Sequence, residues 1–560
     1  MAKGNSFRRI GIILFLVVFS FGIIGGCSNN NNNNQTWEQI RAERLKAIDD
    51  YLETNQEQFV SFRTAPLSIK QDILNFVGLQ MIVFRLLPEI FPEIWGEPEE
   101  LMAVIGLGPD PFDPDAFLPL GVGFALSDTF ENDFNIDLDI GVNYATFACM
   151  ACHSGKFVGT DGELTTMIGG ANPFGDFRGK INQTVNDPKY TAENFREALD
   201  DMPLGWVYGF NEEFLEQEEF ERFLFNLPGG AEFFLEEVKF SSNASQQRIE
   251  ETLFAFTYNV PNPPLPAGMP GSIDVFSLAG VSYCNPNGDP PCDLATVMPA
   301  APAPADIPVA WKIEDRPRYQ WDDSISLIVY REILASFSQA GGDPDSVNMD
   351  NVLLSGPFVD GLPPYPYPFD VDLEAAERGE LVYEQACGSC HQPGNNIINT
   401  PAFTGTSPNR ANVFTETILQ GIAQDSRDAC PDTEPQCLVN GEPPTNDEII
   451  ESTGGYVQVP LNGIWASAPY LHNGSIPTLY HLITGDRPET FYRGNFTYDK
   501  ELLGFTWDEV TNTSGLPLLY DTTLDGYSNA GHTGAVFNGG INWDEEPEML
   551  ADLLEYLKTL

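Results

Sequence analysis

The sequence predicts a mostly α-helical protein in two halves, with long loops and insertions. Three observations carry that expectation. Apolar residues recur at helical spacing in several segments, as at Ile40, Leu45, Ile48 and Leu52. One five-residue motif, Cys-x-x-Cys-His, occurs at 149–153 and again at 387–391. Stretches dense in Pro and Gly, such as 260–308 and 356–370, interrupt the helical pattern. With 560 residues, 42% hydrophobic and 12% aromatic, the chain has material for substantial cores, and a disordered chain is excluded. Acidic residues outnumber basic ones 81 to 28, a net charge of −53. Such a surface repels phosphate backbones and argues against nucleic acid as a partner.

The chain opens like a processing signal. Lys3, Arg8 and Arg9 precede an apolar run from Ile10 to Ile24, which is too short and too early for a membrane-spanning helix. The run ends in Ile24-Gly25-Gly26-Cys27, which resembles a bacterial lipobox. In such signals the cysteine becomes the lipidated first residue, and Ser28 after it resembles the pattern sent to the outer membrane. Residues 1–26 are therefore expected as a lipoprotein signal peptide, and 27–45 as a lipid-anchored tether containing the run Asn29 to Asn34. The expected location is the outer membrane, facing the periplasm or the cell surface.

Beyond the tether, residues 36–53 read as an amphipathic helix, and 69–94 as further apolar helical segments. Residues 192–240 look helical, with many Glu and Phe. The Pro- and Gly-rich stretch 260–308 reads as an ordered insertion or surface loop. Residues 324–339 form another helix, and 356–370 the interdomain linker. Residues 373–386 lead as a helix into the second motif, and 549–560 close the chain as a final amphipathic helix. The expected division is an N-terminal domain with insertions over 46–365, which carries the first motif, and a C-terminal domain over 366–560, which carries the second.

The nine cysteines sort without remainder. Cys27 is the anchor. Cys284 and Cys292 flank one short loop and Cys430 and Cys437 another, which suits local disulfides in an oxidising compartment. Cys149, Cys152, Cys387 and Cys390 belong to the two motifs, with His153 and His391. Cys-x-x-Cys-His attaches c-type haem. Cysteines three apart share a helical face and reach two vinyl groups of one porphyrin, and the next His turns under the iron. Chance would supply the motif on the order of 10⁻³ times in such a chain, so two copies are a strong signal.

The remaining histidines, His472, His481 and His532, all follow the second motif, so the first half has no second His. No methionine lies between His391 and Met549, which nearly closes the usual Met option for the second iron. His472 and His532 both sit in Gly-containing, loop-like contexts and are its candidates. His481, in a short apolar helix, reads as packing.

Residues 461–465 (Leu-Asn-Gly-Ile-Trp) and 469–479 (Pro-Tyr-Leu-His-Asn-Gly-Ser-Ile-Pro-Thr-Leu) resemble the bacterial di-haem cytochrome c peroxidase superfamily. With Arg487-Pro488, Phe491-Tyr492, Gly526 to His532 and the ending Glu555 to Leu560, the resemblance is closest to the branch of the di-haem rubber oxygenase, the latex-cleaving dioxygenase. Pro119 to Phe124 also fits. The resemblance implies two cytochrome c-like haem domains, with an open, catalytic N-terminal haem and a six-coordinate C-terminal one that handles electrons. It maps the distal ligand of the second haem onto His532 and a structural group beside that haem onto His472. An aromatic between the haems maps onto Trp321, and a distal aromatic onto Phe337. Taken alone, either could be a core residue. The implied cofactors are two covalent haem c groups, with Ca2+ a further candidate. The implied partners are peroxide or O2, an organic substrate and a small redox carrier.

Three functions are consistent with these residues. One is an oxidoreductase activating peroxide or dioxygen at the first haem. Another is an outer-membrane electron relay with both irons saturated, using a Met such as Met167 or Met202. The third is a di-haem factor that matures a quinone cofactor. An apolar distal pocket favours O2, whereas a distal carboxylate or Gln favours splitting peroxide, because protons must move. The stretch from Lys156 to Glu332 holds many carboxylates, and the sequence does not choose among them.

Overall fold

The computed structural model describes residues 35–67, 79–96, 106–108, 110–113, 119–127, 142–173, scattered positions from 175 to 198, 270–273, 302–340, 344–511 and 516–560. The signal sequence, Cys27, the Asn run, the Cys284 and Cys292 loop and all but a few positions of the helix expected over 192–240 lie outside them. Helices outweigh strands among the described residues, as the sequence predicts. None of these helices is long and apolar enough to cross a membrane.

Helix α1 (Trp37–Thr54) starts where a capping box sets it: Thr36 accepts from the Gln39 amide, and the Gln39 side chain returns to the Thr36 amide. Residues 37–45, assigned in sequence to the tether, are thus the first half of a packed helix with Trp37 buried. Helix α2 (Gln56–Thr64) follows directly and buries Phe59 and Phe62. Helix α3 is Met81–Ile90. Strands β1 (Leu79–Gln80), β2 (Val122–Ser127) and β3 (Val142–Phe147) form an antiparallel sheet in the order β1-β3-β2. After the first motif comes a hairpin of β4 (Ser154–Val158) and β5 (Leu164–Ile168). Then come α4 (Ile328–Ala340), α5 (Met349–Gly361), α6 (Leu373–Ala386), α7 (Glu416–Ala429), α8 (Leu479–Thr484) and α9 (Pro547–Leu557). Helix α6 has the predicted bounds. Its Asp372 cap accepts from the amides of Glu374 and Ala375.

The expected boundary at 365/366 is not a break in packing. The largest core draws Trp37, Trp311 and Phe358 from one side and Tyr367, Trp465 and Tyr498 from the other. Trp465 meets Phe157, Tyr367 and Tyr498 edge-on, at 6.0, 5.5 and 5.7 Å between centroids. Helix α1 also bridges the halves: the Trp37 indole donates to the Tyr367 carbonyl at 3.2 Å and Arg44 to that of Thr559 at 2.6 Å. The Pro-rich stretch 362–370 is therefore a buried strap, held because Tyr367 and Phe369 have more apolar surface than solvent tolerates. In the C-terminal half α6 lies against α9 so closely that a Cβ on Gly379 would meet the Asp552 carbonyl at 1.9 Å. Cys430 and Cys437 form the expected disulfide.

Candidate functional site

The first motif is a tight turn pinned on three sides. The amides of Cys152 and His153 both return to the Cys149 carbonyl, at 3.2 and 3.0 Å. Asn172 holds the turn from outside. Its backbone N–H bonds the Cys152 carbonyl at 2.9 Å and its side chain the Ala151 carbonyl at 2.7 Å. The β4–β5 hairpin returns to the motif, with Gly169 donating to the His153 carbonyl at 2.9 Å. Gly121, at φ +84°, lets β2 enter against the turn, where a Cβ would strike the Ala151 nitrogen at 2.1 Å.

Cys152 and His153 face an open-mouthed cavity. One wall is α4, which presents Ile328, Arg331, Glu332 and Ala335 at helical spacing. Trp321, Arg316 and Gln320 line another part. Nη2 of Arg331 lies 3.3 Å from Nε2 of His153. A guanidinium only donates, so Nε2 accepts and the ring proton sits on Nδ1. Nδ1 is buried with no well-aligned partner, although the Pro308 carbonyl favours its protonation. Burial, with the Arg331 charge, lowers the His153 pKa to about 3. The ring is a neutral imidazole whose Nε2 lone pair is directed into the cavity, the form that binds metal. With two thiols in the same turn, these residues fit a covalently attached haem.

The second motif has another environment. Helix α6 runs into Cys387, whose amide bonds the Tyr383 carbonyl at 2.7 Å, and the Tyr383 hydroxyl donates to the His391 carbonyl at 3.1 Å. Nδ1 of His391 lies 2.8 Å from the Val459 carbonyl, so it carries the proton and leaves Nε2 as the ligating atom. The His532 ring faces it, with centroids 6.3 Å apart. Two imidazoles binding one metal at the usual length of roughly 2 Å place their centroids about 6 Å apart. These residues therefore fit a bis-His haem. His532 is held at φ +54°, its amide donating to the Thr404 carbonyl at 2.7 Å. A Cβ on the preceding Gly531 would meet the Thr406 nitrogen at 2.5 Å. Burial, then the His391 and Arg487 charges, lower the His532 pKa to about 4.

His472 points elsewhere. It stacks on Tyr456 at 4.3 Å, with Nε2 at 3.1 Å from the tyrosine hydroxyl. That hydroxyl donates to the Ser407 carbonyl at 2.6 Å, so it accepts from Nε2, which therefore carries a proton. His481 packs edge-on against Trp507 at 4.8 Å and bonds Thr478 at 2.7 Å, as its apolar context predicts.

Trp321 lies on the cavity wall in a turn tied to the C-terminal half. Its indole donates to the Asp306 carbonyl at 3.0 Å, and its own carbonyl accepts from Val457 at 3.0 Å. Val457 is two residues from Val459, the partner of His391, so a short backbone path joins the cavity wall to the second motif. Beside Trp321, Asp322 forms a fork-to-fork pair with Arg410 at 2.8 and 3.2 Å, both side chains 0% exposed. Phe337 is not brought to the cavity. It is half-buried and packs against the cluster of Ile325, Val329, Ile333 and Leu334; Leu334 also reaches the cavity wall, and Ala335 lines it. Among the described residues no group of three or more His, Cys, Asp or Glu is gathered for a metal such as Ca2+.

Sequence reasoning missed Arg316, Arg331 and Glu332. A signal existed for the last two: an Arg-Glu pair interrupts the apolar face of α4, where charge without a purpose is costly. Their ion pair spans 2.8 Å.

Residues 455–493 match a family described as RoxA-like, cytochrome c-like. This segment contains His472, His481 and the strand that leads to Val459. Residues 62–153 match a Y4iN-like domain, and this match ends on His153. The chain is 36% identical over 277 residues to the uncharacterized protein y4iM of Sinorhizobium fredii (strain NBRC 101917 / NGR234), which is 45% of this chain and 64% of that protein. It is 31% identical over 238 residues to y4iJ of the same organism, 34% of this chain and 39% of that one. The chain thus spans less than two thirds of either relative. A RoxA-like, cytochrome c-like domain is present, and such a domain implies covalently bound haem c and points to a haem-based oxidoreductase of the rubber oxygenase or di-haem cytochrome branch.

Proposed function

We propose that this chain is a di-haem c-type oxidoreductase that activates peroxide or dioxygen at the haem held by Cys149, Cys152 and His153. A second haem, held by Cys387, Cys390 and His391 and closed by His532, is its electron-transfer centre. The observation that supports this most directly is an asymmetry: His391 faces a second imidazole, whereas His153 faces a cavity with no second imidazole on its lining among the described residues. Haem iron supplies the one-electron and oxygen chemistry when bound. The protein's own residues supply the rest. Glu332, on the cavity wall, is placed to take and return a proton at an oxidant oxygen, and Arg331 holds it there through their ion pair. A carboxylate on this wall favours peroxide over dioxygen. Trp321 links the cavity to the strand that orients His391. The lipobox-like sequence at Cys27 supports an outer-membrane lipoprotein, served by a small redox carrier and acting on an organic substrate.

The test is ligand binding. A pyridine haemochrome assay should give two haems per chain, and CO added after reduction should perturb one of them. Glu332→Gln should lower peroxide turnover by roughly 10²–10⁴-fold while CO still binds. If both irons are low-spin and inert to CO and cyanide, the electron-relay reading replaces this one.

A further inference from the structure

We propose that Arg316 is the counter-ion of a carboxylate on the group that fills the first cavity, namely a propionate of the haem held by Cys149, Cys152 and His153. This rests on the functional reading above and extends it to a residue that reading does not use.

The guanidinium of Arg316 lines the cavity and, among the described residues, makes no hydrogen bond or ion pair. Only its backbone amide is engaged, donating to the Ile313 carbonyl at 2.9 Å and closing the turn Ile313–Asp315. In a chain with 81 acidic and 28 basic side chains an unpaired arginine is unexpected. Neighbouring arginines follow the expectation. Arg318 pairs with Glu451 at 3.0 Å, Arg331 with Glu332 at 2.8 Å and Arg410 with Asp322 at 2.8 Å. The charge of Asp323 acts on Arg316, yet the two form no ion pair, and Oδ1 of Asp323 is buried without a partner among the described residues.

A cavity-facing guanidinium without an anion carries an uncompensated desolvation cost. Arg331 on the adjacent wall adds a second positive charge, and Glu332 balances only one of the two. The other acid of the lining, Asp306, is taken by Arg493, so Arg316 is the lining charge left without a partner among the described residues. An occupant that brings its own carboxylate removes the deficit. Haem has two propionates, ionised at neutral pH, and each offers the planar pair of oxygens that the guanidinium fork binds in bidentate fashion. Burial lowers the Arg316 pKa to about 10, which still leaves it charged at neutral pH. A cation at a propionate favours the reduced haem, because reduction adds an electron nearby.

The experiment is spectroelectrochemical titration of the holoprotein, following the CO-binding haem and the low-spin haem separately. Arg316→Gln should lower the equilibrium constant for reducing the CO-binding haem about tenfold, a shift of about 59 mV for one electron, and leave the low-spin haem unchanged. Arg316→Lys should recover most of the loss. Arg318→Gln, which also removes one positive charge from this segment, should leave the potential in place. The inference is overturned if Arg316→Gln leaves the CO-binding haem at the wild-type potential, or if Arg318→Gln shifts it equally. A wild-type protein that contains a single haem, or binds no CO, fails the functional reading first and the inference with it. Two haems and one CO site with an unmoved potential fail the inference alone.

Discussion

His153 and His391 close the same five-residue motif, yet they look out on different surroundings. His391 has its Nδ1 fixed by the Val459 carbonyl and faces His532 at 6.3 Å between rings. His153 has an unpartnered Nδ1 and faces a cavity whose far wall is charged. On the proposed reading the motif attaches the haem, and what lies opposite sets whether the iron is saturated for electron transfer or open to a reactant. Evolution of function on such a scaffold therefore needs change only on the facing elements, here α4 and the loop carrying His532.

The comparison can be broken from either side. The largest effect is expected from His153→Ala, which should abolish CO and cyanide binding, while His532→Ala should turn the second haem from low-spin to high-spin. EPR separates the two. If His472→Ala converts the spin state and His532→Ala does not, the assignment of the second site is reversed. Next in size is Arg410→Met. It strands the Asp322 carboxylate in a fully buried position, a loss of roughly 3–5 kcal/mol that denaturant unfolding would measure. A loss below about 1 kcal/mol would show that the turn carrying Trp321 is held by its backbone bonds.

Lys156 sharpens the comparison through pH. It is buried beside the first motif and, among the described residues, bonds only the Gly106 carbonyl and Asn172. Burial lowers its pKa from 10.5 to about 7. Between these values the unfolded chain holds a proton that the native chain lacks, so stability rises with pH over this window. The slope reaches about 1.4 kcal/mol per pH unit. Lys156→Met should remove that slope and stabilise the protein near neutral pH, as seen in unfolding free energies from pH 7 to 10. The smallest effect is that of Trp321→Phe. It removes a 3.0 Å hydrogen bond to the Asp306 carbonyl, worth about 1 kcal/mol, and should slow electron exchange between the haems in flash experiments while both remain bound.

Much of this was legible in the residues. Helix α6 was readable because its cap, its apolar spacing and the motif at its end are all local, and the same holds for α9 and the Cys430–Cys437 loop. The elimination of methionine left His472 and His532, since counting needs no geometry. The resemblance favoured His532; the geometry that sets it opposite His391 depends on how the loop after Thr404 meets the one before His532. Phe337 was placed by its distance along a helix. Successive helix positions differ by about 100°, so Ala335 turns to the cavity wall while Phe337, two positions on, packs in another cluster.

The sequence by itself determined that there are two attachment motifs, that the second half holds every spare histidine, and that the chain is largely helical. These follow from residue identity and short spacing. Only the tertiary structure decided that Trp37, Tyr367 and Trp465 share one core across the expected domain boundary, and that Arg316, Arg331, Glu332 and Trp321 surround His153. Those residues come from segments up to 428 positions apart. No local pattern records such a meeting, because it is set by the burial of aromatic surface over the whole fold.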